Sequence, residues 1–159
     1  IAQNQLKTLS NRIKGSTFGI KRTVNTDYMD SKYKTTSKVE NFFSMLLTKA
    51  AISDNLFIGN MPATVESNWK EMVLVDVLSM KDYGAYAKGS ANVFLYAKSV
   101  DSHGTKPVKE LYKMELALDK AIESCKDTHY VIDVNFRDAD YDQNRNYYYN
   151  VINIEVIIR

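Results

Sequence analysis

Cysteine and histidine are nearly absent from this sequence. Its 159 residues include one cysteine, Cys125, and two histidines, His103 and His129. A single cysteine excludes an intramolecular disulfide and favours assembly in a reducing, intracellular compartment. So few ligands also exclude a structural zinc site. Cys125 continues an apolar helical face, so we interpret it as a packed thiol and not as a nucleophile paired with His129.

Long apolar runs and sharp catalytic motifs are also missing. No stretch is long and apolar enough to cross a bilayer, and residues 1–14 lack the apolar core of a signal peptide. Phosphate-binding, dinucleotide-binding, zinc-protease and serine-hydrolase motifs are absent. At 45% apolar and 25% charged residues, the chain has an ordinary globular composition for a single domain. We therefore predict no enzymatic activity, no cofactor, no metal and no membrane partner.

The densest acidic run, residues 138–144, is the one candidate for metal chemistry. Asp138, Asp140 and Asp142 alternate like the first oxygen ligands of a calcium loop. Gln143 stands where such a loop needs glycine, and Tyr149 stands where it needs a bidentate glutamate. We interpret the run as part of a solvated polar connection over residues 137–146. A small metal-dependent enzyme using the three aspartates stays open as an alternative.

Charge is unevenly distributed along the chain. Residues 1–38 contain eight Lys or Arg and two Asp, a net charge of +6, whereas the remainder has 13 basic and 17 acidic residues, net −4. We predict that residues 1–36 form a basic N-terminal arm and residues 37–159 a single domain. The arm is either a solvated tail or a segment that lies on a neighbouring subunit, since opposite potentials favour association.

Two amphipathic helices are predicted from apolar spacing. The first begins at Ser37, which forms a capping box with Glu40, and ends near residues 53–55. The second has Pro107 in its first turn and ends near Lys126. Apolar residues at helical spacing predict the buried face of this second helix: Val108, Leu111, Tyr112, Met114, Leu118, Ala121, Ile122 and Cys125.

Four strands complete the predicted fold. Residues 69–80 and 91–98 form a hairpin, residues 130–136 a half-buried strand, and residues 147–158 the last strand. The first strand is apolar on both faces, so both faces must be covered, one by helices and the other by a partner subunit. The predicted fold class is α+β, a four-stranded mainly antiparallel sheet with two helices packed on one face, plus the N-terminal arm.

Aromatic residues supply the candidate interface. The chain has eleven tyrosines, and tyrosine is favoured at interfaces because it buries a large area at small entropic cost. We predict that the interface lies on the hairpin and the last strand, at Trp69, Tyr83, Tyr86, Phe94, Tyr96, Tyr147 and Tyr149.

Four parts of residues 37–159 share a recognisable order: FIGNMP, EMVLVDVLSM with ANVFLYAKS, KPVKELYKMELALDKAIES, and HYVIDVNFRDADYDQ with RNYYYNVINIEVIIR. This order of elements resembles the tail-terminator, or tail-completion, proteins of tailed phage. The resemblance implies a non-enzymatic virion protein of the phage neck or tail, assembled in the host cytoplasm. Its implied partners are copies of itself in a ring, typically a hexamer, the neighbouring connector and tail-tube proteins, and DNA passing through the lumen.

The basic arm departs from that family, which leaves the position of the ring open between terminator, neck stopper and another connector. The arm also supports an alternative, a nucleic-acid-binding protein, because Phe18, Tyr28 and Tyr33 are interleaved with its basic residues. A host-encoded protein of similar fold is a further alternative.

Overall fold

Residues 34–159 form two helices and five strands in the order α1–β1–β2–β3–α2–β4–β5. The computed structural model describes residues 34–159, so all but the last three residues of the predicted arm lie outside it. The predicted α+β class is confirmed. The elements are α1 (Thr36–Ala50), β1 (Leu56–Ile58), β2 (Glu71–Asp82), β3 (Ala87–Lys98), α2 (Val108–Glu123), β4 (Tyr130–Asp142) and β5 (Tyr147–Ile158).

Helix α1 is capped by Thr35, whose Oγ1 accepts a hydrogen bond from the backbone N–H of Lys38 at 3.2 Å. The predicted capping box at Ser37 is therefore wrong. Residues 35–37 all carry a hydroxyl suited to a cap, so residue type alone does not choose between them. The helix ends at Ala50, earlier than predicted, because Ala51 adopts a left-handed conformation and donates its N–H to the carbonyls of Leu47 and Thr48.

The strands form one mixed sheet in the order β1-β2-β3-β5-β4. Strand β1 runs parallel to β2, and the other neighbours are antiparallel. The predicted four-stranded sheet is corrected to five, because β1 has only three residues and shows no alternating pattern.

Two strands are longer than the sequence predicts. β3 begins at Ala87, so the predicted break over residues 84–89 shrinks to a turn at residues 83–86. β4 continues to Asp142, so the predicted polar connection over residues 137–146 is wrong for its first six residues. Pairing with β5 holds this polar stretch in a strand, and an edge strand tolerates charge because one face and one edge are solvated.

Gly89 allows the long β2–β3 hairpin to form. A β-bulge interrupts the register between Val77 and Ser79, opposite the segment that contains Gly89. A Cβ atom on Gly89 would overlap the carbonyl oxygen of Ser79 and the sulfur of Met80. The glycine thus permits a close backbone approach at the bulge.

The main core lies between the helices and one face of the sheet. Val39, Phe43 and Leu47 of α1 and Leu111, Met114 and Leu118 of α2 pack on valine, leucine and isoleucine side chains of β2, β3 and β5. The prediction that both helices cover one face is confirmed. Val108 and Tyr112, predicted inside, are exposed, because the apolar stripe of α2 is wider than the strip that meets the sheet.

Candidate functional site

The outer face of the sheet, opposite the helices, is covered at one end by the chain itself. Met72, Leu74, Tyr96 and Tyr147 are buried there. Met61, Val65 and Trp69 pack on them from residues 59–70, which we call the covering segment. The prediction that a partner subunit must cover this face of β2 is therefore wrong for Met72 and Leu74, whereas Leu78, predicted on the same face, is 50% exposed. The sequence pattern correctly indicates two covered faces but does not identify the chain's own loop as the second cover.

Hydrogen bonds attach the covering segment to the sheet. The hydroxyl of Tyr147 donates to the carbonyl oxygen of Trp69 at 2.5 Å. Lys98 donates twice, from Nζ to the carbonyl of Ser67 and from its backbone N–H to the carbonyl of Lys70, both at 2.8 Å. These bonds satisfy carbonyl groups of a loop that pairs with no strand of residues 34–159.

Five of the seven predicted interface residues form one aromatic cluster within the chain. Ring centroids are 4.9 Å apart for Tyr96 and Tyr149, 6.4 Å for Tyr96 and Tyr147, and 6.0 Å for Phe94 and Tyr149. Trp69 joins the cluster through the covering segment. Tyr96 and Tyr147 are buried, whereas Trp69, Phe94 and Tyr149 are half-buried. Most of this aromatic area therefore stabilises the protomer itself.

Burial changes the acidity of these tyrosines. It raises the pKa of Tyr96 to about 12, with a smaller contribution from Tyr149. Burial also raises the pKa of Tyr147. The pKa of Tyr149 is raised by burial and by the carboxylate of Asp140 on the adjacent strand. In each case the neutral phenol is favoured because the charged form loses solvation.

The other two predicted interface residues lie together at the hairpin tip, residues 81–88. The rings of Tyr83 and Tyr86 are stacked with centroids 5.0 Å apart, and the two residues are 51% and 41% exposed. Lys81 Nζ lies 5.2 Å from the centre of the Tyr83 ring. Lys34 Nζ donates to the carbonyl of Gly84 at 2.5 Å. The tip thus presents an aromatic pair with lysines beside it.

A row of asparagines crosses the rest of the outer face and was not predicted. Asn153, which is 5% exposed, donates to Asn92 Oδ1 at 2.7 Å and accepts from Asn135 Nδ2 at 3.0 Å. The row links β3, β5 and β4. Its members lie on different strands far apart in the sequence, so only the strand register brings them together.

Asp138, Asp140 and Asp142 share the outer face of β4. Their register partners on β5 are Val151, Tyr149 and Tyr147. Arg137, on the opposite face, binds α2 through Asp119 at 2.6 Å and Glu115 at 3.4 Å. Within residues 34–159, no group of three or more His, Cys, Asp or Glu side chains is arranged to hold a metal ion.

A pair of carboxyl groups joins β2 to α2 and was also missed. The pKa of Glu71 is raised, first by burial and then by a hydrogen bond to the carboxyl of Glu110, while Lys113 opposes the shift. Glu71 borders an open depression of about 420 Å³ that residues 51–55 and 68–71 line. Burial of Glu71 and its contact with Glu110 together account for the raised pKa, so we interpret this pair as a structural feature. Cys125 is half-buried against the main core, which matches its interpretation as a packed thiol.

In the part of the chain that the structure describes, no helix has the length and apolar character needed to span a membrane. Comparison with models of known protein families and with curated proteins finds no match.

Proposed function

We propose that this protein is a non-enzymatic structural subunit that assembles into a ring at the head–tail junction or tail end of a tailed phage. The observation that carries the proposal is a sheet with two edges that no further strand of residues 34–159 covers, with exposed aromatic residues beside one of them. β1 pairs with β2 only at Val73, Leu74 and Val75, so residues 77–82 of β2 have no strand partner on that side among residues 34–159. Among the strands of residues 34–159, β4 pairs with β5 alone.

Two different free edges favour head-to-tail contact between copies. A contact that joins one surface to a different surface on the next copy continues until rotation closes a ring. Edges left open in a monomer are sites where a further chain adds to the sheet. Leu78, Tyr83 and Tyr86 are all more than 40% exposed near the β2 edge, and they supply apolar area to such a contact.

The order of elements is compatible with the phage tail-terminator resemblance. A hairpin of two twelve-residue strands is followed by a helix and a closing pair of strands. In the proposed role the ring acts mechanically, joining the tail tube to the connector while DNA passes through. A ring with a mechanical role does not need an active site. The packed aromatic cluster and the hydrogen-bonded asparagines on the outer face of the sheet are consistent with such a role.

Sedimentation velocity over a range of protein concentrations, together with negative-stain microscopy, tests the assembly. We expect one discrete oligomer and ring-shaped particles. A strict monomer at every concentration, or open filaments of varying length, would overturn the proposal. DNA binding that falls steeply with salt and is lost on removal of residues 1–33 would instead favour the nucleic-acid-binding alternative.

Immunogold labelling tests the location. Antibodies against this chain are expected to label the neck or tail end of virions of the parent virus. Labelling over the capsid shell, or purified virions that lack the chain, would contradict a head–tail role even if the protein forms rings.

A further inference from the structure

We infer that the hairpin tip of one copy docks on the outer face of β4 and β5 in a second copy. The receiving surface, which we call the β4 patch, consists of Phe136, Asp138 and Asp140 of β4 and Val151 of β5. This inference rests on the proposed function and names the two surfaces that join neighbouring subunits.

The hairpin tip presents a preformed aromatic pair. The rings of Tyr83 and Tyr86 are stacked and remain 51% and 41% exposed. The backbone N–H of Tyr83 donates to the carbonyl oxygen of Tyr86 at 2.8 Å, which holds the turn between them. Side chains that are already ordered lose little further freedom on binding, so this pair is suited to a protein contact.

The β4 patch combines apolar area with charge on one face of the sheet. Phe136 is 55% exposed, and Val151 is half-buried. Asp138 is the register partner of Val151, and Asp140 follows two residues later on the same face, so carboxylates border the apolar side chains. The patch therefore suits a partner surface that is both aromatic and positively charged.

Charge makes the hairpin tip that partner. Lys81 Nζ lies 5.2 Å from the centre of the Tyr83 ring and, within the described part of the chain, forms no salt bridge with a carboxylate. Asp138 and Asp140 accept backbone hydrogen bonds, which orient these carboxylates without neutralising them, and no described lysine or arginine pairs with either. Docking brings Lys81 to these carboxylates while the tyrosines cover Phe136.

Strand register excludes this contact within one protomer. Lys88 at the tip pairs with Ile157 of β5, whereas Asp138 pairs with Val151, six residues away along the same strand. This separation is about 20 Å at the usual rise per residue, and two strand spacings, about 10 Å, separate β3 from β4. Only the patch of another copy can therefore receive the tip. The contact joins two different surfaces, as a ring of identical subunits requires.

Isotope-resolved cross-linking of the full chain tests the inference. Equal amounts of ¹⁴N- and ¹⁵N-labelled protein are mixed at low concentration, concentrated, and treated with a carbodiimide, which joins lysine amines to carboxylates without a spacer. Mass spectrometry should identify Lys81 linked to Asp138 or Asp140 in mixed-isotope pairs. The exposed Asp127 and Asp133 serve as controls. Equal mixed-isotope linkage to the controls, or no mixed-isotope link to the patch, would overturn the inference.

Charge reversal in the β4 patch provides the second arm of the test. D138K/D140K should weaken self-association about tenfold or more, because attraction to Lys81 becomes repulsion. D127K/D133K changes the net charge by the same amount at exposed positions outside the patch and should weaken self-association less than about threefold. Sedimentation gives the affinities, and circular dichroism confirms that each variant is folded. Equal weakening by the two variants would contradict a contact at the patch.

A compensating substitution at the tip completes the charge exchange. K81D alone should weaken self-association about threefold, whereas K81D added to D138K/D140K should strengthen it about threefold or more, since opposite charges face each other again. K109D reverses an exposed lysine on α2 and should not rescue D138K/D140K. Further weakening by K81D in the D138K/D140K background would overturn the inference.

The outcomes separate this inference from the proposed function. If rings form but neither the cross-link nor the rescue is seen, the inference fails and the proposed function stands. If the parent protein is strictly monomeric, both fail. If K81D leaves self-association unchanged but lowers a salt-sensitive binding to DNA, the tip binds nucleic acid and the inference fails.

Discussion

At the scale of single residues, Tyr147 shows how one side chain serves two purposes. Its ring is buried against Tyr96, with centroids 6.4 Å apart, and its hydroxyl donates to the carbonyl of Trp69. The ring therefore fills the outer-face cluster while the hydroxyl fixes the covering segment over it. A buried carbonyl that loses its donor carries a desolvation cost.

Replacing this hydroxyl gives a direct prediction. Tyr147→Phe should lower the free energy of unfolding by about 1 to 2 kcal/mol, because it leaves the Trp69 carbonyl without that donor. Urea denaturation measures the change, and amide exchange should accelerate within residues 59–70. Tyr112→Phe removes a hydroxyl from an exposed position on α2 and should change stability by less than about 0.5 kcal/mol. Equal effects of the two substitutions would show that the bond to Trp69 does not stabilise the fold.

Alkaline pH should lower the stability of the folded protein, because Tyr96 is buried as a neutral phenol. The folded protein holds the pKa of this phenol at about 12, above its ordinary value of 10.0. Tyr96 makes its full contribution to the free energy of unfolding below pH 10. That contribution is lost between about pH 10 and 12, because the phenol ionises at a lower pH in the unfolded chain than in the folded protein. The loss from Tyr96 reaches at most about 2 to 3 kcal/mol.

Unfolding measured as a function of pH checks this expectation. Tyr96→Phe should flatten the decline of stability above pH 10, although Tyr147 and Tyr149 still contribute in the same direction. Tyr112→Phe is the control and should decline as the parent does. A Tyr96→Phe profile parallel to that of the parent would rule out this tyrosine as a source of the loss.

At the scale of elements, α1 is capped by Thr35 and not by Ser37, although both side chains have a hydroxyl suited to a cap. Thr35→Ala should destabilise the protein by about 1 kcal/mol, because it removes the acceptor for the Lys38 N–H. Ser37→Ala lies inside the first turn and should have a much smaller effect. Thermal or chemical unfolding of both variants measures the difference. A larger loss for Ser37→Ala would contradict the cap at Thr35 and restore the predicted capping box.

At the scale of the whole molecule, the exposed tyrosine pair at the hairpin tip should matter for assembly and not for folding. Y83S/Y86S should weaken self-association about tenfold or more, because two aromatic side chains no longer contribute buried area to the contact. Sedimentation gives the affinity, and circular dichroism confirms that the fold is retained. Y112S removes an exposed tyrosine from α2, which is not part of the hairpin tip, and should leave the affinity unchanged. Equal weakening by Y112S would remove the hairpin tip from the proposed interface.

The sequence correctly predicts the elements in which buried apolar residues recur at a regular spacing. The apolar spacing of Val39, Phe43 and Leu47 predicts α1, and the alternation over residues 147–158 predicts β5 with its bounds as observed. Among the proposed interface residues, spacing alone did not separate Tyr83 and Tyr86, which are exposed, from Tyr96 and Tyr147, which are buried. An aromatic residue on the outer face has the same sequence pattern whether a partner or the chain's own loop covers it.

The sequence by itself determined the α+β class, the helix-facing core and the contrast between a basic beginning and a more acidic remainder, because these depend on residue type and local period. Only the tertiary structure decided that residues 59–70 cover the outer face, that Asp138, Asp140 and Asp142 stand on an edge strand, and that Asn92, Asn135 and Asn153 meet. Each of these depends on strand order and register, which join residues distant in sequence, and no local pattern encodes such pairings.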